Sequence, residues 1–315
     1  MTTKVFIDGN AGTTGLQIVS RLSKRPDLTL IQPDEAHRKD PAARAEFLNK
    51  ADVAILCLPD EAARESVSLV ESNSVRIIDT STAHRTSPDW VYGLPEMDKA
   101  HAAKIAASRR VANPGCYPTG PILLLRPLVE EGLISADCAV SISAVSGYTG
   151  GGRQMIEAFE AEKPEGIYTQ AHHIYGLSLE HKHIPELQQH AGLDRRPVLL
   201  PSVGRFRQGM IAEIPLFLDL CRDGVKAKDI HDALTARFED CRFVRVQPLQ
   251  DNAGSTRVGA EYLNDTNYVD LYVFANDTRG QVLLVSVLDN LGKGASGAAV
   301  QNMNLMLGKP EDLGL

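Results

Sequence analysis

The chain predicts an α/β fold: a doubly wound parallel sheet followed by an α+β domain with a mixed or antiparallel sheet. Three observations carry that expectation. Residues 1–115 alternate short apolar runs with helical stretches. The glycine-rich turn Gly9-Asn10-Ala11-Gly12-Thr13-Thr14-Gly15 stands at the first strand-to-helix junction, as in Rossmann-type sheets. From about residue 139 the texture changes, and strands follow one another with few helices between.

In order, the first set of strands is expected at Val5–Ile7, Leu28–Ile31, Val53–Leu58, Val75–Asp79 and Arg110–Ala112. Helix formers at helical spacing separate them in Leu16–Leu22, Pro41–Asn49, Glu61–Glu71 and Met97–Ala107. The second set is Ala139–Val145, Val198–Pro201, Ile211–Leu218, Phe243–Val246, Tyr268–Ala275 and Gln281–Leu288, with helices near Arg153–Glu162 and Ala227–Phe238. The last two strands, joined by Asn276-Asp277-Thr278-Arg279-Gly280, predict a hairpin. Gly294 to Leu307 returns to a helical pattern, with Ala295, Ala299, Met303 and Met306 on one side. The expected domains are residues 1–117, completed by a C-terminal helix at 293–315, and residues 118–292.

Bulk properties narrow the function. The 315 residues are 43% hydrophobic and 23% charged, as in globular proteins. A net charge of −7 gives nothing that attracts nucleic acid or an anionic membrane, so neither is an expected partner. Nothing approaches the length of apolar run a membrane helix needs, and the N-terminus reads straight into a strand with no signal-peptide pattern. Five widely spaced cysteines, 57, 116, 138, 221 and 241, without a Cys-x-x-Cys pair argue for reduced thiols in the cytoplasm.

The glycine turn points to a dinucleotide. Glycines let the backbone approach a pyrophosphate, and the helix N-terminus supplies donors and a positive dipole end. The spacing is Gly-x-x-Gly-x-x-Gly, so Gly9, Gly12, Thr13, Thr14 and Gly15 are the cofactor candidates. NAD usually wants an acidic residue ending the second strand. Here Asp34 and Glu35 come slightly late, while Arg38-Lys39 can pair with a 2′-phosphate. NADP is therefore the expected cofactor.

The chemistry centres on Asn113-Pro114-Gly115-Cys116-Tyr117-Pro118-Thr119. Cys116 falls between a tight turn and a helix start, with Pro118 suited to the first helical position. Backbone donors and the helix dipole there favour a thiolate, a nucleophile for acyl chemistry. Five of the nine histidines fall within residues 172–190. In Glu180-His181-Lys182-His183-Ile184-Pro185-Glu186 an extended backbone puts His181 and His183 on one face, where imidazole can serve as acid and base. Zinc could recruit His172, His173, His181 and His183, but no ligand spacing supports it, and no metal is expected. An acyl phosphate or carboxylate needs an arginine clamp. Arg85, in the loop Asp79-Thr80-Ser81-Thr82-Ala83-His84-Arg85 after the fourth strand, is the first candidate; Arg153, Arg205 and Arg207 are further ones.

Together these motifs resemble the N-acetyl-γ-glutamyl-phosphate reductases, in particular their shorter bacterial type, along essentially the whole chain. Carriers of the resemblance include Asp79-Thr80-Ser81 with Arg85, Gly93-Leu94-Pro95-Glu96, the Cys116 turn, His181–Glu186 and Asp289-Asn290-Leu291-Gly292-Lys293-Gly294-Ala295-Ser296-Gly297 running on to Gln301-Asn302. The last motif is similar to one in the related aspartate-semialdehyde dehydrogenases. Those usually read Asn-Cys directly and carry a histidine where this chain has Gly209-Met210.

The resemblance implies NADPH-dependent reduction of N-acetyl-glutamyl 5-phosphate to the 5-semialdehyde in arginine biosynthesis, by a homo-oligomer, dimer or tetramer. It implies Cys116 as nucleophile, His183 or His181 as acid/base, and Arg85, Asn113, Glu186 and Arg153 as substrate contacts. Ser81, Asn290, Gly292 and Gly294 join the cofactor set, with Gln301-Asn302 near the nicotinamide end. The alternatives are another acyl-phosphate reductase, such as one acting on aspartyl phosphate, and a non-catalytic NADP sensor.

Overall fold

A computed structural model describes residues 2–34, 36–38, 40–249 and 257–315. The chain divides into two units: Met1–Pro95 with Ala100–Gly115 and Ala295–Leu315, and Glu96–Lys99 with Cys116–Gly294.

The first unit alternates strand and helix: β1 (Thr3–Asp8), α1 (Thr13–Leu22), β2 (Leu28–Ile31), α2 (Pro41–Lys50), β3 (Val53–Leu56), α3 (Asp60–Ser68) and β4 (Arg76–Asp79). Then come β5 (Val91–Tyr92), α4 (His101–Ala107) and β6 (Arg110–Ala112). The second unit holds α5 (Cys116–Glu130), β7 (Ser141–Gly147), α6 (Gly152–Phe159), β8 (His172–Ile174), α7 (Ile184–Ala191), β9 (Val198–Gly204) and β10 (Met210–Phe217). It continues through α8 (Ala227–Phe238), β11 (Val244–Val246), β12 (Val269–Asn276) and β13 (Gln281–Leu288). A π-helical turn, Gly292–Ser296, leads into α9 (Gly297–Met306).

The first sheet runs in the order β2-β1-β3-β4-β6-β5, parallel throughout. Its strands are apolar on both sides because helices cover both faces. Val5, Ile7, Val53 and Ile55 point into a core with Ile18, Ile105, Ala299 and Met303, so α1, α4 and α9 cover that face. The alternate residues Phe6, Ala54 and Leu56 pack with Leu48, Ala63 and Trp90 on the other. The two-residue strand β5 was not expected; it is too short to show a period of two.

The second sheet is mixed, in the order β11-β12-β13-β10-β7-β9-β8. The predicted hairpin is present: β12 and β13 pair antiparallel from Val269↔Leu288 to Asn276↔Gln281, and Gly280 closes the turn at φ +61°. Strand β7 pairs parallel with β9 and antiparallel with β10. Leu271, Val273, Leu284, Ile214 and Ala212 are buried on one face, where α5 and α8 lie. On the opposite face Val198, Leu200, Phe217 and Leu283 are exposed.

Candidate active site

Cys116 opens α5 directly after Asn113-Pro114-Gly115, and its side chain is half-buried. Pro118 was expected at the first helical position; the helix begins two residues earlier, so the proline sits in the first turn. Its missing N–H has no intrahelical carbonyl to lose there. The helix lies close on β13 because Gly120 has no side chain: a Cβ would strike Ser286 Oγ. The preceding turn is held by Asn113, 1% exposed. Its Nδ2 donates to Ala295 O at 3.0 Å, and its Oδ1 accepts from Asn302 Nδ2 at 3.0 Å. Asn302 also donates to Gly93 O at 2.9 Å. Both ends of the Asn113 carboxamide and the Nδ2 of Asn302 are thus hydrogen-bonded within the protein.

Beside the cysteine lies an aromatic and imidazole cluster. The Tyr117 ring centroid is 5.7 Å from His181 and 5.9 Å from His183, and the two imidazoles are 4.8 Å apart. The histidines converge, but not through the extended segment that was expected. His183 is the N-cap of α7 with helical backbone angles, and a turn brings the rings together. His181 Nδ1 accepts the His183 backbone N–H, and its Nε2 lies 3.3 Å from the Tyr175 hydroxyl. Burial, then Lys182, brings His181 down to about 4. His183 is buried, with Nε2 3.9 Å from Glu186 Oε1, itself 2% exposed. Tyr117 donates to Ser202 O at 2.8 Å. Burial pushes the Tyr175 hydroxyl up to about 12; a hydrogen bond with Tyr117 opposes this and the nearby Cys116 adds to it.

The wall against Cys116 is the segment after β13. Gly294 lies so close that an added Cβ would stand 2.9 Å from Cys116 Cβ. Asp289, fully buried, organises the segment. It accepts from Leu291 N at 2.9 Å, Asp265 N at 2.9 Å and Gln208 Nε2 at 2.7 Å. Burial raises its carboxyl, and these donors oppose the rise. Asn290 accepts from Gly209 N at 2.7 Å and donates to Thr149 Oγ1 at 3.1 Å. A Cβ on Gly292 would strike Thr266 O. Asn290, Gly292 and Gly294 thus make close contacts within this wall. Sequence reading passed over Tyr175, Gln208 and Thr149, because nothing local marks a residue that acts from another strand or loop.

The arginines divide. Arg153 is exposed on α6 with its Nε donating to Glu157 at 2.6 Å. Arg207 pairs with Glu160, and Arg205 donates to Thr169 O at 3.0 Å. Arg85 is 7% exposed and donates to Thr80 O at 2.9 Å. Its loop is built on Asp79, which accepts from Ser81 Oγ at 2.7 Å and pairs with His84 Nδ1 at 2.7 Å. Among the described residues, no three His, Cys, Asp or Glu side chains gather as a metal-ligand set.

In the first unit the glycine turn has the shape a dinucleotide needs. Gly9 sits at φ +87°, where a Cβ would also strike Cys57 O, and a Cβ on Gly15 would strike Gly9 O. Gly12, exposed, is the N-cap of α1, which starts at Thr13-Thr14. A cleft there is lined by Gly9, Asn10, Ala11, Gln32, Pro33 and Arg38. Arg44, also lining it, is occupied by Asp8, Glu65 and Ser66, whereas Arg38 is exposed. Asp34 is bonded to His37 at 2.6 Å, which holds its carboxyl below the usual range. Lys39 and Glu35 lie outside the described residues. The cradle and its exposed arginine fit a 2′-phosphorylated dinucleotide.

The family model described as semialdehyde dehydrogenase, dimerisation domain, matches residues 116–290, and the one described as semialdehyde dehydrogenase, NAD binding domain, matches residues 32–105. The N-acetyl-gamma-glutamyl-phosphate reductase of Burkholderia cenocepacia is 55% identical over 308 residues, 96% of this chain and 97% of that protein. The reductase of the same name from Brucella ovis is 54% identical over 310 residues, 98% of this chain and all of that protein. In fold, the chain is similar to aspartate semialdehyde dehydrogenase II of Vibrio cholerae, with a TM-score of 0.71 at 15% identity over 98% of each chain. The aspartate semialdehyde dehydrogenase of Francisella tularensis gives 0.69 at 14% identity, covering 96% of this chain and 99% of that one. With a cysteine at the head of α5 and full-length relatives above half identity, the chain belongs to the N-acetyl-γ-glutamyl-phosphate reductase family.

Proposed function

We propose that the protein reduces N-acetyl-L-glutamyl 5-phosphate to N-acetyl-L-glutamate 5-semialdehyde and phosphate, with NADPH as reductant, in arginine biosynthesis. The observation that carries this reading is Cys116 at the amino end of α5, beside the Tyr117–Tyr175–His181–His183 cluster.

The Cys116 thiolate attacks the acyl carbon, a C–S bond forms, and the C–O bond to phosphate breaks to leave a thioester. The amino end of α5 presents its positive dipole end to the oxyanion formed in that attack. The Gly9–Gly15 cradle would hold NADPH with Arg38 towards its 2′-phosphate, and the bound cofactor would supply the hydride. Reduction makes a thiohemiacetal on Cys116, whose C–S bond then breaks to release aldehyde and thiolate. The overall reaction takes up one proton, and we assign its transfer to His183. That buried ring has Glu186 Oε1 3.9 Å from its Nε2 and lies in the cluster beside Tyr117. Glu186 is assigned as the carboxylate that favours the protonated form of His183. Arg85 is the assigned phosphate or carboxylate clamp, and Ser81 shapes its loop.

Two finer points belong to the same reading. Among the described residues no helix is long and apolar enough to cross a membrane, and five free cysteines suit a reducing cytoplasm. The exposed sheet face bearing Val198, Leu200, Phe217 and Leu283 suits burial against a second copy, giving a dimer or tetramer.

The test is oxidation of N-acetyl-glutamate semialdehyde with NADP and phosphate, compared with the unacetylated and aspartate semialdehydes. Turnover of the acetylated substrate alone is expected. Equal or better turnover of aspartate semialdehyde would reassign the substrate. Mass spectrometry of the mid-reaction enzyme is expected to find the acyl group on Cys116.

A further inference from the structure

Lys293 is fully buried, and the chemistry above gives it no task. Its Nζ lies 2.6 Å from Glu96 Oε1 and 5.7 Å from the centroid of the Phe243 ring. Glu96 is 6% exposed, on the single 3₁₀ turn Pro95–Met97. Removing both charges from water offsets most of their attraction, so such a pair is a poor source of stability. A charge-assisted bond supplies something an apolar contact does not, a fixed length and direction.

The neighbours of Lys293 show what that direction is used for. Gly292 and Gly294 flank it. Each is pressed on another part of the second unit, Gly292 on Thr266 O and Gly294 on Cys116 Cβ. In Gly292-Lys293-Gly294 the lysine is the one residue with a side chain by which the backbone can be held. The segment also enters a π-helical turn, a geometry that persists only where surroundings enforce it.

We propose that Lys293 and Glu96 are a positioning pair for the reaction. Their bond holds the Gly292–Gly294 backbone at a set distance from Cys116 and so fixes the direction from which the sulfur meets the acyl carbon. The inference rests on Cys116 being the nucleophile. Neither residue touches substrate; both act through the wall behind the cysteine.

The test uses the full-length enzyme with Lys293→Met and Glu96→Leu combined, which replaces the charges with apolar groups of similar volume. Three quantities are measured well below its melting temperature: kcat, KM for NADP, and the iodoacetamide rate at Cys116 read by peptide mass. The expected result is a cooperative melt and an unchanged KM for NADP. With it come a kcat lower by about tenfold or more and a Cys116 alkylation rate altered by about threefold or more. A purely structural pair would lower the melting temperature and leave the folded enzyme's kcat and alkylation rate within about twofold of wild type, and that result overturns the proposal. If the double variant does not fold, Glu96→Gln is measured by the same criteria. Failure of the wild type to oxidise N-acetyl-glutamate semialdehyde would refute the proposed substrate, not the pair. The alkylation comparison needs no substrate and decides the pair's role alone.

Discussion

The backbone N–H of His183 donates to Nδ1 of His181 at 3.2 Å, so the folded chain assigns one tautomer to the neighbouring ring. With Nδ1 accepting, the neutral His181 carries its proton on Nε2, directed at the Tyr175 hydroxyl 3.3 Å away. His181 thereby supports the start of α7, and in the proposed mechanism the proton-transfer role is assigned to His183. Replacing His183 with Asn is expected to lower kcat/KM for semialdehyde oxidation, the direction in which His183 accepts the proton, by about 10²–10⁴ and to flatten the acidic limb of that pH profile. His181→Asn is expected to keep that limb at a reduced rate. The reverse pattern would move the role to His181.

His181 also makes stability depend on pH. Its folded value of about 4 lies below the ordinary 6.5, through burial first and Lys182 second. Between those values the unfolded chain binds more protons, so this contribution is present above pH 6.5 and is lost as pH falls towards 4. Thermal melts across that window should show a smaller acid-induced fall in Tm for His181→Asn than for wild type. Equal falls would mean that other groups carry the effect.

Cys116→Ser should retain NADPH binding, measured by fluorescence titration, yet lose turnover by about 10³-fold or more, because an alkoxide is much harder to form than a thiolate. Turnover near wild type would mean hydride reaches the acyl phosphate directly.

Two glycine substitutions should separate wall from scaffold. In Gly294→Ala the new Cβ falls 2.9 Å from Cys116 Cβ, so a loss in kcat of about tenfold or more is expected. In Gly120→Ala the Cβ meets Ser286 Oγ. There the expected effect is a loss of about 1–3 kcal/mol in denaturant unfolding. Equal kcat losses in both would show that Gly294 has no special relation to the cysteine.

Arg38→Leu tests cofactor choice. The residue is exposed at the rim of the glycine-turn cleft, so solvent screens its charge. KM for NADP is expected to rise about tenfold with KM for NAD unchanged; parallel changes in both would place the 2′-phosphate elsewhere.

Local signals were legible to different depths. The parallel sheet was readable because its strands are buried on both faces and stand out as apolar runs, as Val53–Leu56 shows. The β12–β13 hairpin was readable from its alternation and turn. Helix α5 was legible only as a start, since Pro118, Pro121 and Pro127 argue against the helix that packing on β13 sustains. The His181–His183 segment was misread as extended because a two-residue spacing fits both a strand and a turn.

By itself the sequence determined which chemistry is available: a cysteine at a helix start, imidazoles nearby and a glycine cradle for a dinucleotide. These are properties of residue type and short-range spacing. Tertiary structure alone decided which of these groups are engaged within the protein. Asn113 is spent on Ala295 and Asn302, Arg153 on Glu157, and His181 on Tyr175 and the His183 backbone. The reason is physical: which hydrogen-bonding groups are already engaged is set by claims from distant parts of the chain. Such claims, made across up to 189 positions between Asn113 and Asn302, leave no local pattern to read.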